Sequence, residues 1–178
     1  GSDWGWLLRK QPQFAERCDF RIFKEDIDNF LELLEGQLQL ASRCPWAELN
    51  GDDWVGVLLK QSRLAKYCDW GKLSGENWTV LLMRQPQFAS QCQWRKLDGE
   101  DWVRLLLIQS KLAKHCDWEK LSGRCWVVLL VRQPQFADRC LWEKLDGEAW
   151  AELLPTRPQF AAHCDFRIFR DHLDCLRE

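Results

Sequence analysis

Large apolar residues recur along this chain at the spacing of short helices. After Trp102, Leu105 and Leu106 follow at i+3 and i+4, so the three side chains share one helical face. The arrangement returns every 24 residues in the frame C-x-[WF]-x-x-[LF]-x-G-x-x-W-x-x-[LV]-L-x-x-Q-[PS]-x-[FL]-A-x-x. Self-similarity at a fixed period indicates a tandem repeat array.

Cysteine and tryptophan hold the register of the repeat. Counting the cysteine as position 1, the cysteine column consists of Cys44, Cys68, Cys92, Cys116, Cys140 and Cys164. Tryptophan occupies position 3 (Trp46, Trp70, Trp94, Trp118 and Trp142) and position 11 (Trp54, Trp78, Trp102, Trp126 and Trp150). Segments 84–102 and 132–150 lie 48 residues apart and are nearly identical, which indicates that a pair of repeats was copied as one unit.

The repeat pattern predicts a single repeat domain over residues 3–178. Its expected parts are a half repeat at 3–17, a variant repeat at 18–43, five full repeats at 44–67, 68–91, 92–115, 116–139 and 140–163, and a terminal partial repeat at 164–178. Residues 1–2, Gly-Ser, are interpreted as an expression scar outside the domain.

The first helix of each full repeat is expected at about positions 9 to 17. Good N-cap residues precede it at position 7: Asn50, Ser74, Asp98, Ser122 and Asp146. Glycine always follows at position 8, where it either belongs to the helix start or ends the preceding turn in a left-handed conformation.

A second, shorter helix is expected from position 19. Pro86 and Pro134 suit its first residue, and Ser62 and Ser110 are expected to act as caps. The Trp/Leu pair at positions 3 and 6 adds one helical turn. The sequence therefore predicts an all-α solenoid of stacked 24-residue repeats, each with two short helices plus a helical turn.

Units of 24 residues with a Leu-Leu pair before a proline-led second helix, as at Leu81, Leu82 and Pro86, resemble the leucine-rich repeat variant family. The resemblance covers period and layout along nearly the whole chain. It implies an α-helix alternating with a 3₁₀-helix in a superhelical stack. That family's iron–sulfur cluster needs a separate cysteine group, and this sequence has no closely spaced cysteine cluster, so no cofactor is expected.

Composition narrows the class of partner. The net charge is −2, with 46% hydrophobic and 29% charged residues, so nothing favours a nucleic acid partner. The longest apolar stretch, 126–131, is too short to span a bilayer, so no membrane partner is expected. No signal peptide is visible, which favours the cytoplasm.

The cysteine column is expected to consist of reduced, buried thiols. Stacked helices lie about 8–10 Å apart, whereas a disulfide needs Cα separations of about 4.4–6.8 Å. A redox or metal array is the alternative. Cys125 and Cys175 lie off the column. Because Cys125 stands where other repeats carry Asp53, Asn77, Asp101 and Ala149, it is expected to be partly exposed and is the candidate reactive thiol.

No set of residues in the sequence points to catalysis. His115 and His163 are two repeats apart, and His172 lies in the terminal segment. Recurring acids fall at helix starts, where they have a structural role. No catalytic, cofactor-binding or metal-binding residues are expected, and the chain is not expected to be an enzyme.

Two polar columns remain. The glutamines at position 18, Gln61, Gln85, Gln109 and Gln133, are expected to bond to backbone groups of the next repeat. The lysines at position 5, Lys72, Lys96, Lys120 and Lys144, form either a stripe for an anionic partner or a solvated face, and neighbouring acids favour the solvated face.

Positions 10, 13 and 17 escape the apolar face of the first helix and are expected to point outward. They are Asp53, Gly56, Lys60; Asn77, Val80, Arg84; Asp101, Arg104, Ile108; Cys125, Val128, Arg132; Ala149, Glu152, Thr156. The candidate partner surface within this stripe is Val80, Arg84, Arg104, Ile108, Val128 and Arg132, since interfaces favour apolar and arginine contacts. The competing interpretation is that these positions vary because no partner constrains their side chains.

Binding is accordingly the expected function: a non-catalytic scaffold that presents an extended surface to a protein or peptide. The alternatives are a self-assembling array, through head-to-tail docking or ring closure, and an enzyme or redox protein that uses the cysteines.

Overall fold

The computed structural model describes residues 2–23 and 27–169, and all regular structure in these ranges is helical. The α-helices are α1 (Ser2–Lys10), α2 (Ile27–Gly36), α3 (Gly51–Lys60), α4 (Gly75–Arg84), α5 (Gly99–Ile108), α6 (Gly123–Arg132) and α7 (Gly147–Thr156). Longer 3₁₀-helices follow them at Pro12–Arg17, Leu38–Arg43, Ser62–Tyr67, Pro86–Gln91, Ser110–His115, Pro134–Arg139 and Pro158–His163. Short 3₁₀-helices lie at Phe20–Phe23, Trp46–Glu48, Trp70–Lys72, Trp94–Lys96, Trp118–Lys120, Trp142–Lys144 and Phe166–Phe169.

These elements confirm the prediction of an all-α solenoid with a period of 24 residues. Each full repeat contains one short 3₁₀ turn, one α-helix of ten residues and one 3₁₀-helix of six residues, as in 92–115. Ten α-helical residues span about 15 Å. Six 3₁₀ residues span about 12 Å, because the 3₁₀ rise per residue is larger. The six-residue 3₁₀-helix is therefore nearly as long as the ten-residue α-helix of the same repeat.

Side-chain caps fix the start of each first helix at position 8. The Asn50 side chain accepts from the Asp53 amide, and the Asp53 carboxylate accepts from the Asn50 amide, at 2.9 and 3.0 Å. Ser74 and Asp98 form the same reciprocal box. The predicted caps at position 7 are confirmed.

The glycine at position 8 is explained by packing. The described glycines have no positive φ, which excludes the left-handed alternative for them. A Cβ on Gly51 would lie 2.7 Å from the Lys72 carbonyl oxygen, and one on Gly123 would lie 2.5 Å from that of Lys144. The backbone of the next repeat occupies the space that a side chain would need.

The second helix begins where expected, but Ser62 and Ser110 do not cap it. Each serine is the first residue of its 3₁₀-helix, and the preceding glutamine takes the N-cap position without a side-chain cap bond. The expected serine caps are therefore wrong. Proline suits the same position, because the first helical residue has no intrahelical partner for its N–H.

The chain divides into two compact units, Gly1–Cys92 and Gln93–Glu178. In the first unit α1 packs on α2, α2 on α3 and α3 on α4. In the second unit α5 packs on α6 and α6 on α7. Helices thus bury their apolar faces against sequence neighbours. The predicted borders of the domain and its repeats stay predictions.

Paired tryptophans form the centre of each full repeat. The position 11 indoles are essentially buried and stack on the position 3 indoles at centroid distances of 5.2–5.5 Å. The buried Nε1 atoms of Trp54, Trp78, Trp102 and Trp126 have no hydrogen-bond partner in the described residues. A buried N–H group without a hydrogen-bond partner lowers the free energy of unfolding by about 1–3 kcal/mol. Burial of the indole ring raises it by roughly 4–6 kcal/mol. The position 11 tryptophans are therefore core residues, and the position 3 tryptophans are half-buried.

Candidate protein-binding surface

The outer face, defined here as positions 13 and 17 of the repeat, points away from the core on α3 to α7. Its residues are exposed in every full repeat: Gly56, Lys60; Val80, Arg84; Arg104, Ile108; Val128, Arg132; Glu152, Thr156. Val80, Ile108 and Val128 are 38, 58 and 36% exposed. The predicted exposure of the six candidate surface residues is confirmed, and their role in binding stays a prediction.

Position 10 does not belong to the outer face, and its predicted outward direction is wrong. Its residues, Asp53, Asn77, Asp101, Cys125 and Ala149, are buried or half-buried. Position 10 faces the preceding repeat, as the 2.7 Å hydrogen bond from Asn77 to the Asp52 carboxylate illustrates. Small or cap-forming side chains suit this interface between repeats.

Cys125 is buried, with only 8% of its surface exposed. The expected partial exposure is therefore wrong. Its Sγ lies close to the start of α5, where a Cβ on Gly99 would be 3.4 Å away. Its reactivity stays a prediction, and this burial argues against rapid reaction. Cys175, the other thiol off the column, lies outside the described residues.

Arg104 is held in place by its own helix. Its guanidinium donates to Asp101 at 3.1 Å, while half of the Arg104 side chain is exposed and Asp101 is only 6% exposed. A buried carboxylate thus positions an exposed guanidinium. Asp101 is fixed in turn by the capping box with Asp98.

A surface cleft of about 340 Å³ lies between α5 and α6. Val103 and Val128 supply apolar lining, and Arg104 and Arg124 supply positive charge. The cleft thus joins two predicted surface residues, Arg104 and Val128, with two that were not predicted.

Trp6 was also missed as a member of the outer face. It is 63% exposed, and counting back from the Gln11-Pro12 pair places it at position 13, in register with Val80. Its register was visible in the sequence. The same register places Trp4 at position 11, and Trp4 is half-buried.

The lysine column links neighbouring repeats, a role that neither expected alternative included; the anionic-partner stripe and the solvated face stay predictions. Lys72 Nζ donates to the carbonyl oxygens of Ala47 and Leu49 at 2.5 and 2.7 Å. Lys120 does the same to Arg95 and Leu97 at 2.7 and 2.6 Å. The preceding carbonyls attract the ammonium group because a 3₁₀ turn leaves them without helical partners.

The glutamine column also links repeats, but toward the preceding repeat rather than the next one. Gln85 Nε2 donates to the carbonyl oxygens of Leu58 and Leu59 at 2.9 and 3.2 Å. Gln133 donates to the equivalent residues of α5. Arg157 replaces glutamine at position 18 and donates to Val131. The inter-repeat role is confirmed, and the predicted direction is wrong.

The cysteine column consists of free thiols, but they are half-buried, so the expected full burial is wrong. Burial raises the pKa of Cys44, Cys68, Cys92, Cys116 and Cys140 to about 12, with an added contribution from nearby acids at all but Cys92. Because the thiolate is the nucleophile and the metal ligand, these raised pKa values disfavour redox or metal chemistry at neutral pH.

Two histidines stack on tryptophans. The His115 ring centroid lies 4.5 Å from that of Trp94, and the His163 ring lies 4.3 Å from Trp142. Burial, with a smaller contribution from Lys114, lowers the pKa of His115. In the described part of the chain no three His, Cys, Asp or Glu side chains are grouped to hold a metal ion. His172 lies outside that part.

Comparison with models of protein families, with curated protein sequences and with solved structures finds no significant match. Among the described helices, none has the length and apolar character to cross a bilayer. The surface must therefore be interpreted from its own chemistry.

Proposed function

We propose that this chain is a non-catalytic repeat scaffold that binds another protein or a peptide through the outer face. The observation that carries the proposal is the exposure of Val80, Ile108 and Val128 on a repeat whose other large aliphatic side chains are buried or half-buried. Arg84, Arg104 and Arg132 occupy the same two positions of their own repeats, 13 and 17, and are exposed. Partner surfaces are enriched in arginine and in exposed apolar anchors.

The distribution of exposed apolar residues supports binding through the outer face. Five large apolar side chains are exposed in the described residues: Trp6, Val80, Ile108, Val128 and Phe166. The first four occupy positions 13 or 17. Phe166 is the exception, on the 3₁₀-helix Phe166–Phe169. If the surface varied without constraint, more such residues would be expected on exposed 3₁₀ positions.

The α-helix and 3₁₀-helix alternation also supports a relationship to the leucine-rich repeat variant family, as the sequence resemblance implies. We propose that relationship as an architectural one. The tryptophan pairs and the lysine links between repeats hold this array together, and they leave the outer face free to vary from repeat to repeat.

A capture experiment with two matched triple variants tests the proposal. Arg84→Ala, Arg104→Ala and Arg132→Ala together remove three charges from the outer face. Arg63→Ala, Arg95→Ala and Arg139→Ala remove three charges from exposed positions elsewhere. Both proteins are immobilised beside wild type, and partners from the source organism are quantified by mass spectrometry.

The outer-face variant is expected to lose the proteins that wild type captures, while the control variant retains them. Unchanged circular dichroism shows that both variants fold. Equal capture by the two variants would assign binding to another surface. An equivalent loss on changing Lys72 and Lys120 alone would place the binding surface on the lysine column instead.

Self-assembly is the second candidate, and Phe166 favours it. The hexapeptide at 18–23 is repeated at 164–169, yet Phe20 is 5% exposed and Phe166 is 58% exposed. A second copy of the chain would cover Phe166. Residues 170–178, part of the predicted docking segment, lie outside the described residues. Light scattering that shows a monomer at every accessible concentration rejects this candidate.

A further inference from the structure

We propose that the cleft between α5 and α6 binds an acidic peptide segment that inserts an apolar side chain. This inference rests on the proposed function and names the chemistry of the partner. It is confined to the second unit, in which α5 packs directly on α6. Apolar lining, positive charge at the rim and the contrast with the next cleft each support it.

The apolar part of the cleft consists of two valines. Val103 is 6% exposed and closes the inner side, while Val128 is 36% exposed and is accessible from solvent. Ile108 is 58% exposed and lies on the outer face, one helical turn after Arg104 on α5. The volume of about 340 Å³ is suited to a few side chains of a peptide rather than to a whole folded surface.

The charge at the rim comes from an exception in the repeat. Position 9 is acidic in the other four full repeats, at Asp52, Glu76, Glu100 and Glu148, but is arginine at Arg124. An arginine at a helix start is disfavoured by the helix dipole. Arg124 therefore lacks the favourable interaction with the helix dipole that an acidic residue makes at position 9. It adds positive charge close to the exposed Val128.

Arg104 supplies the second positive charge of the cleft. Its ion pair with the buried Asp101 restricts the guanidinium, which lowers the entropy lost when it binds a carboxylate. Glu100 and Ser122 also line the cleft, so the lining carries two guanidinium groups and one carboxylate, while the Asp101 carboxylate that pairs with Arg104 is buried and is not part of the lining. Arginine pairs with carboxylates in bidentate geometry, which favours aspartate or glutamate in the partner.

The neighbouring cleft has the opposite character. Between α6 and α7, Arg124 is accompanied by Asp146, Glu148 and Glu152, and no valine or isoleucine lines that space in the described residues. An acidic segment would be repelled there. The contrast within one unit assigns the acidic segment to the α5–α6 side.

A peptide selection tests the inference with random peptides as the probe. A displayed library of random 12-residue peptides is selected against the full chain, and enriched peptides are sequenced and synthesised. Their affinities are measured by fluorescence polarisation for wild type, Arg124→Glu and Arg139→Glu. The Arg139 variant makes the same charge change at an exposed position of a 3₁₀-helix. Arg124→Glu is expected to fold, because acid is the usual residue at position 9.

Enriched peptides are expected to contain aspartate or glutamate beside a leucine, isoleucine or phenylalanine. Arg124→Glu should weaken their binding by about tenfold, and Arg139→Glu by less than about twofold. In nuclear magnetic resonance spectra of wild type, the peptides should shift the signals of Val103 and Val128 first.

Three outcomes overturn the inference. They are enriched peptides without acidic residues, binding that is unchanged by Arg124→Glu, and a selection that yields no binding peptide. If non-acidic peptides bind and lose affinity with the outer-face triple variant, the proposed function survives while this inference fails. If peptides bind and neither that variant nor Arg124→Glu affects them, both fail.

Discussion

At the scale of single residues, the same amino acid has opposite effects at two positions of the repeat. Gly123 at position 8 makes room for the backbone of the next repeat, whereas a Cβ on Gly56 at position 13 would meet nothing within 4 Å. The φ angles of the described glycines do not distinguish them, since none is positive. The space around each Cβ decides the effect of substitution.

Alanine substitution at these two glycines should therefore give changes of opposite sign. Gly123→Ala places its Cβ against the Lys144 carbonyl oxygen and is expected to destabilise the protein by about 1–3 kcal/mol. Gly56→Ala, on an exposed helical position, is expected to stabilise it by about 0.5–1 kcal/mol. Urea unfolding measures both values, and an equal loss in the two variants would contradict the packing argument.

The cysteine column should make the protein sensitive to alkaline pH. Burial raises the pKa of Cys116 to about 12, from a value of 9.0 in an exposed thiol. Above pH 9 the unfolded chain releases this proton while the folded chain retains it, so stability is full below pH 9 and falls as the pH rises toward 12. The other four column thiols with this shift act in the same direction.

Urea unfolding at pH 8 and pH 10 checks this linkage. Cys116→Ala removes one of the linked protons, so its stability should decrease less between the two pH values than that of wild type. Labelling with a thiol reagent at neutral pH should be slow before unfolding, for Cys125 as well as for the column. Rapid labelling of six or more thiols in the native protein would contradict the account.

At the scale of elements, polar side chains that link repeats set the spacing of the stack. Glutamine at position 18 donates to the α-helix of the preceding repeat, and lysine at position 5 donates to the preceding 3₁₀ turn. The glutamine link was predictable because an amide at a helix junction has few other partners. The lysine link was not, because a charged side chain beside acids also matches a solvated surface.

Replacing one linking lysine should test its structural role. Lys120→Met leaves the Arg95 and Leu97 carbonyl oxygens without their donor, and is expected to cost about 1–2 kcal/mol in urea unfolding. Lys111→Met removes the same charge from an exposed position of the second unit and should change stability by less than about 0.5 kcal/mol. Similar losses of stability in the two variants would show that the lysine column is a solvated face without a structural role.

At the scale of the whole molecule, periodicity determined most of what could be predicted. The register of Trp102, Leu105 and Leu106 predicted a buried helical face, and the outward positions 13 and 17 followed from it. The predicted exposure of position 10 was wrong because a helical period gives the direction of a side chain but not the location of the neighbouring repeat. Cys125 was misassigned for the same reason, since the contact that buries it comes from a different repeat.

The proposed binding surface was only partly predictable from the sequence. Val80, Ile108 and Val128 were identifiable as apolar residues at outward positions, and the structure exposes all three. Arg124 was not identified, because its position belongs to the helix start rather than to the outward stripe. Arg124 and Val128 lie four residues apart on α6, but the cleft that they share with Val103 and Arg104 forms only when α5 packs on α6.

The most direct test of the central claim is the affinity of one purified partner for the two triple arginine variants, measured by isothermal titration calorimetry. Loss of Arg84, Arg104 and Arg132 is expected to weaken binding by about tenfold or more. Loss of Arg63, Arg95 and Arg139 should leave the affinity within about twofold of wild type, because long-range charge effects are screened by salt. Equal affinities for the two variants would contradict the assignment of the outer face as the binding surface.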